Sequence, residues 1–151
     1  MVVNGIHFPD TEKHLTDFQE VKEKGTYQKD KLDTSLSYCK KFRTAVDVGA
    51  HIGLWSRHLT KSFRLVEAFE PVPVFRDFYK MNVDGNYNLH PYACGAKTDF
   101  VKLNLDPENT GHTHVSDKGQ ICSMMVPLDC MNLQNVDFIK IDTEGYELFV
   151  C

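Results

Sequence analysis

The sequence predicts one α/β domain organised around a parallel β-sheet. Three short apolar runs, at residues 44–48, 64–70 and 136–142, are rich in β-branched residues and have the composition of strands buried on both faces. A glycine loop and a helical pattern follow the first run, and a helical pattern that begins with proline follows the second. Strands that alternate with helices in this way are joined by right-handed crossovers and pair in parallel.

Residues 1–26 form a predicted N-terminal arm, and residues 27–151 form the predicted domain. In the arm, the apolar residues before Pro9 predict a short strand or hairpin. In the domain, apolar residues at helical spacing predict a helix up to about Lys41, ahead of the first strand. The same spacing predicts a second helix from the glycine loop through about Lys61.

The next helix is predicted to begin near Pro73 and to pack through a face that contains Val74, Phe78 and Met81. The sequence YNLHPYAC then predicts a third strand. Pro91 in this strand indicates a position at a sheet edge, because proline cannot donate a backbone hydrogen bond.

The segment after the third strand changes its pattern. Residues 100–105 alternate with period two, and together with the extended stretch ICSMMVPL they predict a β-hairpin insertion with a polar tip at residues 106–120. The fourth buried strand follows at residues 136–142. Thr143 is predicted to cap a helix that carries Glu144 in its first turn.

The composition argues against several classes of function. The chain has 21 acidic and 17 basic residues without a dense basic run, so no nucleic-acid partner is expected. Five cysteines without a C-x-x-C pair predict neither a disulfide framework nor a zinc site and favour a reducing compartment. No leader and no apolar stretch long enough for a bilayer is present, so a cytoplasmic protein without membrane attachment is expected.

The glycine loop VDVGAHIGLW indicates a ligand site at the carboxyl end of the first strand. Its two glycines, Gly49 and Gly53, have three residues between them, which matches neither the dinucleotide fingerprint nor the P-loop. Asp47 just upstream disfavours a pyrophosphate, whereas it suits the positive charges of S-adenosylmethionine. Glu70 ends the second strand, about 20 residues after the glycine loop. At this position a carboxylate typically accepts hydrogen bonds from the two hydroxyls of a ribose.

Five stretches together carry a resemblance to a known family: VDVGAHIGLWS, EAFEPVPVFRDFYKMNV, YACGA, VPLDCM and VDFIKIDTEGYEL. In this order and spacing, from about residue 44 to the end, the chain resembles the FkbM-type methyltransferases. These are a branch of the S-adenosylmethionine-dependent methyltransferases with a Rossmann-like fold. The resemblance implies a Rossmann-like class I methyltransferase sheet with S-adenosyl-L-methionine as its cofactor.

The resemblance also implies roles for individual residues. Five of them match the glycine-loop motif around the methionine moiety: Asp47, Gly49, Ala50, His51 and Gly53. The family often has asparagine at the position of His51. Glu70 matches the ribose-binding acid, and Ala93 lies on the adenine side. Asp142 and Glu144 match the acidic end of the fourth strand, beside the methyl group that is transferred.

The implied reaction is O-methylation of a hydroxyl on a small molecule or sugar, by in-line transfer. Asp142 is the candidate general base and a candidate cofactor contact, while a helix cap at Thr143 or an ion pair with Lys140 are its structural alternatives. An NAD-dependent oxidoreductase is disfavoured by the loop spacing. A cofactor-binding remnant or subunit without activity of its own is the alternative from a different class.

Histidine, tyrosine and tryptophan side chains are further candidates for a role in the site. His112 and His114 form an H-x-H pattern in the insertion, but no third ligand is fixed, so no metal site is predicted. The insertion is instead predicted to help form a lid over the acceptor site. Tyr27 is a candidate cofactor contact, and Trp55 is predicted to belong to the core.

Relatives of the implied fold carry about seven strands in the order 3-2-1-4-5-7-6, whereas this sequence supplies the first four. We therefore expect a sheet truncated after the fourth strand, whose edge at residues 136–142 has unpaired backbone groups. Such an edge favours pairing with a second copy of the chain or with another, complementing polypeptide.

Overall fold

A four-stranded parallel sheet forms the centre of the protein in the computed structural model, which describes residues 1–150. Its strands are β3 (Thr44–Val48), β4 (Leu65–Phe69), β5 (Tyr87–His90) and β10 (Val136–Ile141). They lie in the order β10-β3-β4-β5, and all three pairings are parallel. The predicted α/β class with parallel strands is therefore confirmed, and β5, which precedes Pro91, lies at an edge as predicted.

Three helices pack beside this sheet: α3 (Lys29–Ser37), α4 (Ser56–Ser62) and α5 (Pro73–Asn82). The helix α4 begins later than the predicted helix after the glycine loop. The reason lies in Gly49, His51 and Gly53, whose φ angles of 72°, 51° and 87° are incompatible with a right-handed helix. The loop therefore stays irregular until Ser56.

The buried face of α5 differs from the predicted one. Val74 and Met81 are 43% and 59% exposed, whereas Phe75, Tyr79 and Asn82 are buried. The two aromatic rings bury more apolar surface than Val74 and Met81 would, and the Asn82 amide is satisfied by backbone hydrogen bonds. The helix was therefore predicted correctly and Phe78 packs against the core as expected, but Val74 and Met81 do not belong to the buried face.

A second sheet contains the predicted insertion. Its strands are β6 (Ala93–Cys94), β7 (Asp99–Asn104), β8 (His114–Val115) and β9 (Ile121–Val126), in the order β6-β9-β7-β8. The antiparallel pair β7 and β9 confirms the predicted hairpin. The third predicted strand is divided, because β5 stays in the first sheet while β6 pairs in parallel with β9.

The N-terminal arm is a hairpin of β1 (Val2–Val3) and β2 (Ile6–His7), followed by the short helices α1 (His14–Asp17) and α2 (Gln19–Lys24). Its buried apolar side chains share one hydrophobic cluster with residues of the glycine loop and of α5: Ile6, Phe8, Leu15, Val21, Ile52, Leu54 and Phe75. The arm therefore packs against the predicted domain, and its boundary at residue 26 stays a prediction.

The segment after β10 is not the predicted capped helix. Glu144 and Gly145 have φ angles of 53° and 96°, and only a short 3₁₀ turn, Glu147–Phe149, follows. The Glu147 carboxylate accepts a hydrogen bond from the backbone N–H of Thr143 at 2.7 Å. Thr143 donates to Glu147 instead of capping a helix, so this prediction was wrong.

The strand β10 lies at the other edge of the central sheet, and Ile139 on it is 49% exposed. Its pairing with a second copy or a complementing chain stays a prediction. Within residues 1–150, no helix is long and apolar enough to cross a membrane.

Candidate functional site

A cavity opens at the carboxyl ends of β3, β4 and β10, where ligands bind in open parallel sheets. Its space, counted together with the open solvent at its mouth, amounts to about 960 Å³. Seven of the nine residues to which the resemblance gives a role line the cavity: Gly49, Ala50, His51, Glu70, Ala93, Asp142 and Glu144. The other two, Asp47 and Gly53, lie behind its wall, so the fold brings most of the predicted site together.

The glycine loop is held against the ends of two strands. The backbone N–H groups of Gly49 and Ala50 both donate to the carbonyl oxygen of Phe69, at 3.0 Å each. Gly49 also passes so close to the carbonyl oxygen of Asp142 that a Cβ atom would overlap with it. Gly53 packs with the same closeness against Val83 of the segment after α5. The two glycines therefore allow the close approach that shapes the cavity floor.

Asp47 is completely buried beneath this loop. The Ser56 hydroxyl donates to Asp47 Oδ2 at 2.7 Å, and Lys140 Nζ lies 3.0 Å from Asp47 Oδ1. Lys140 also donates to the carbonyl oxygen of Gly49 at 2.8 Å. The predicted pairing of Lys140 with Asp142 was therefore wrong, because Asp47 is the buried partner. Asp47 holds Lys140 and the loop in place, and its carboxylate does not face the cavity.

Glu70 forms part of the cavity wall and is only 4% exposed. Its Oε2 atom accepts a hydrogen bond from the backbone N–H of His51, and its Oε1 atom accepts one from Val72, both at 2.8 Å. Burial raises the pKa of Glu70 to about 7, although these two hydrogen bonds act in the opposite direction. A carboxylate with unused acceptor sites at a cavity wall can bind a pair of hydroxyl groups.

The raised pKa of Glu70 predicts a pH dependence of stability. The pKa of this carboxyl rises from 4.5 to about 7 on folding. Between these two pH values the folded protein holds a proton that the unfolded chain has released. The free energy of unfolding should then fall by about 3 kcal/mol as the pH rises through this range. We expect Glu70→Gln to remove this component, as measured by urea denaturation at pH 4.5 and 7.5. Equal pH dependence in both proteins would contradict the prediction.

His51 adds a neutral polar ring to the same wall. Its ring lies 4.3 Å from the ring of Phe75, edge to face. Burial and the nearby Lys140 ammonium lower the pKa of His51 to about 3, so the imidazole is uncharged at neutral pH. Its Nε2 atom is buried and has no hydrogen-bond partner within residues 1–150.

Two acidic side chains lie at the mouth of the cavity, Asp142 and Glu144. Both are exposed. Partial burial and the neighbouring Asp142 carboxylate raise the pKa of Glu144. Asp142 caps no helix and does not pair with Lys140, so neither structural alternative for this residue holds. Its place at the mouth is compatible with a contact to a reacting group.

Several lining residues were not assigned to the site from the sequence: Leu15, Leu54, Trp55, Phe75, Tyr92, Leu103 and Tyr146. Tyr92 and Tyr146 lie within the stretches YACGA and VDFIKIDTEGYEL, which was an available signal. Leu15 and Leu103 carry no sequence signal for a place in the site, because they belong to the arm and the insertion. Trp55 packs against the core, as predicted, and also lines the cavity.

The insertion contributes residues 110–111 and 113–115 to the lining, and Tyr27 lines the cavity as well. This placement is consistent with the predicted lid and the predicted Tyr27 contact. Of the H-x-H pair, His114 lines the cavity. Within residues 1–150, no group of three His, Cys, Asp or Glu side chains could hold a metal ion.

Comparison with known proteins identifies the domain. The family model for the methyltransferase FkbM domain matches residues 47–151, which is more than two thirds of the chain and contains the glycine loop, Glu70 and the end of β10. No curated protein and no solved structure matches the chain. The family assignment therefore rests on the domain model and agrees with the motifs around the cavity: the chain belongs to the FkbM methyltransferase family.

Proposed function

We propose that the protein is an S-adenosylmethionine-dependent methyltransferase that methylates a hydroxyl group on a small molecule or sugar. Its domain belongs to a methyltransferase family, and its central sheet would be the Rossmann-like class I arrangement of that enzyme class. The observation that carries the proposal is Glu70, a carboxylate buried in the cavity wall beside the glycine loop.

The lining of the cavity fits this cofactor. Glu70 would accept hydrogen bonds from the two ribose hydroxyls, for which its ionised form is needed. Tyr92 and Ala93 line the cavity as well, and the small Ala93 side chain would leave room for the flat adenine ring. Because Gly49 and Ala50 line the cavity, the loop backbone would lie within reach of the ligand.

S-adenosylmethionine supplies a methyl group that is already activated by its sulfonium, so the protein mainly has to orient the acceptor and exclude water. Asp142 at the mouth would accept the proton of the acceptor hydroxyl as the new oxygen–carbon bond forms. Apolar side chains such as Leu15, Leu54 and Leu103 line the interior and limit water there.

Calorimetry tests the cofactor. We expect binding of S-adenosylmethionine and S-adenosylhomocysteine but not of NAD, and Glu70→Ala should weaken binding by about tenfold to a hundredfold, because hydrogen bonds to a charged group are lost. Glu23→Ala, at an exposed acid on α2, is the control and should bind normally. Binding of NAD alone would overturn the proposal, and binding of no cofactor would favour a remnant without activity.

The same preparation tests catalysis, with radiolabelled S-adenosylmethionine and a panel of sugars and small alcohols. Asp142→Asn should keep its affinity for S-adenosylhomocysteine while turnover falls by about 10² to 10⁴, the usual contribution of a general base. Asp117→Asn, at an exposed acid of the insertion, is the control. Undiminished turnover in Asp142→Asn would remove the base from the mechanism.

A further inference from the structure

The cavity wall extends beyond the part of the chain that matches the methyltransferase domain. Leu15 and Tyr27 line the cavity, but both lie in the N-terminal region outside residues 47–151. The insertion approaches the same cavity through residues 110–115. Two segments that are nearly a hundred residues apart in sequence therefore meet at one wall.

Glu12 joins these two segments. Its side chain is completely buried, and its Oε1 atom accepts a hydrogen bond from the backbone N–H of Leu15 at 2.7 Å. Its Oε2 atom accepts one from the backbone N–H of Thr110 at 2.8 Å and another from the Thr110 hydroxyl. One carboxylate thus fixes a residue of the arm and a residue of the insertion, both of which line the cavity.

This arrangement demands a carboxylate. A buried carboxylate is costly unless donors satisfy it, and here three donors do so. A glutamine at this position would place an NH₂ group against at least one N–H donor. The two segments are also joined by the backbone N–H groups of Lys13 and His14, which donate to the carbonyl oxygen of Glu108 at 3.0 and 3.3 Å. A further contact lies on the surface, where Lys13 Nζ is 2.6 Å from Glu108 Oε1 and both side chains are mostly exposed. Exposed ion pairs contribute little, so among the side-chain contacts the buried Glu12 carboxylate should dominate.

We propose that the arm and the insertion form one cover over the ligand cavity, and that Glu12 is the positioning residue that holds this cover closed. The proposal rests on the proposed function only for the identity of the ligand. The cover presents Leu15, Leu103 and Val115 to the interior, so it receives an apolar part of the bound ligands and shields it from water.

Trp55 is the only tryptophan of the chain and lines the cavity, so its fluorescence reports on the cover. In Glu12→Gln we expect acrylamide to quench Trp55 about threefold more strongly, because the cover opens locally. Amide exchange should accelerate at residues 108–116 and stay slow in β3 and β4. Unchanged quenching of Trp55 in this variant would overturn the proposal.

Matched variants separate positioning from general stability. Glu108→Gln removes the exposed ion pair between the same two segments and should leave quenching unchanged. Thr110→Ser keeps the hydroxyl and should behave like the wild type, whereas Thr110→Val loses one donor and should show part of the effect. These two variants also decide the matter if Glu12→Gln does not fold, because equal quenching in both would contradict the role of the Glu12–Thr110 link.

Ligand retention gives a second readout. S-adenosylhomocysteine should dissociate roughly tenfold faster from Glu12→Gln with little change in its association rate, since such changes act mostly on dissociation. An unchanged dissociation rate would contradict a cover over the ligand. If the wild type does not bind S-adenosylhomocysteine, the proposed function fails, while Trp55 quenching still decides whether Glu12 closes the cover.

Discussion

Replacing Gly49 by alanine is expected to destabilise the protein by about 3 to 5 kcal/mol and to abolish cofactor binding. The φ angle of Gly49 is 72°, a left-handed conformation that costs other residues energy. A Cβ atom would also overlap with the carbonyl oxygen of Asp142, which is backbone and cannot rotate away. Relief of this overlap requires the end of β10 to separate from the glycine loop, and that movement would deform the cavity.

The chain offers two controls for the Gly49 variant. Gly5 and Gly145 also have positive φ angles, of 74° and 96°, but a Cβ atom at either position would meet no other atom within 4 Å. Gly5→Ala and Gly145→Ala should therefore show the backbone strain alone, about 1 kcal/mol. Urea denaturation of the three variants measures the difference. A loss in Gly49→Ala no larger than in these controls would show that the close approach to Asp142 is not important.

Replacing Lys140 by methionine is expected to cost about 3 to 5 kcal/mol, because it leaves a buried charge without its partner. Asp47 is completely buried, and the Ser56 hydroxyl would be the main group left to stabilise its carboxylate. The change also removes the hydrogen bond from Lys140 Nζ to the carbonyl oxygen of Gly49, so the loop should loosen. Equilibrium denaturation gives the loss of stability, and amide exchange at residues 49–53 reports on the loop.

A double-mutant cycle isolates the ion pair. The double variant Asp47→Asn, Lys140→Met should be more stable than the sum of the single losses predicts, by at least about 1 kcal/mol, because no unpaired charge remains. Lys80→Met is the control, since Lys80 and Asp77 form an exposed pair at 3.5 Å whose loss should cost little. Strictly additive losses at Asp47 and Lys140 would show that the two charges do not stabilise one another.

The strands of the central sheet and part of the cavity lining could be predicted from the sequence. The runs at Thr44–Val48 and Val136–Ile141 are mostly apolar and rich in β-branched residues, which suits strands of a parallel sheet. Once these strands pair in parallel, their carboxyl ends meet, so Glu70 and Asp142 reach the same cavity as the glycine loop. Local composition and the geometry of parallel strands are sufficient for this part.

Backbone conformations and side-chain directions could be predicted less well from the sequence. The positive φ angles of His51 and Glu144 delay the first helix after the loop and prevent the helix expected after β10, although neither residue is a glycine. The orientation of α5 depends on Phe75 and Tyr79, which pack against elements from other parts of the chain. Helical periodicity predicts that one face of the helix is buried. Which of two apolar faces is buried depends on the elements that each face would pack against.

The sequence by itself determined the α/β class, the parallel strands and the position of the glycine loop and Glu70, because each depends on neighbouring residues or on a regular strand geometry. Only the tertiary structure decided that Asp47 pairs with Lys140 and that Glu12 holds Thr110. Both links join residues more than ninety positions apart. The packing of distant elements determines which partner lies within hydrogen-bond distance of a buried charge. No local pattern in the sequence predicts that partner.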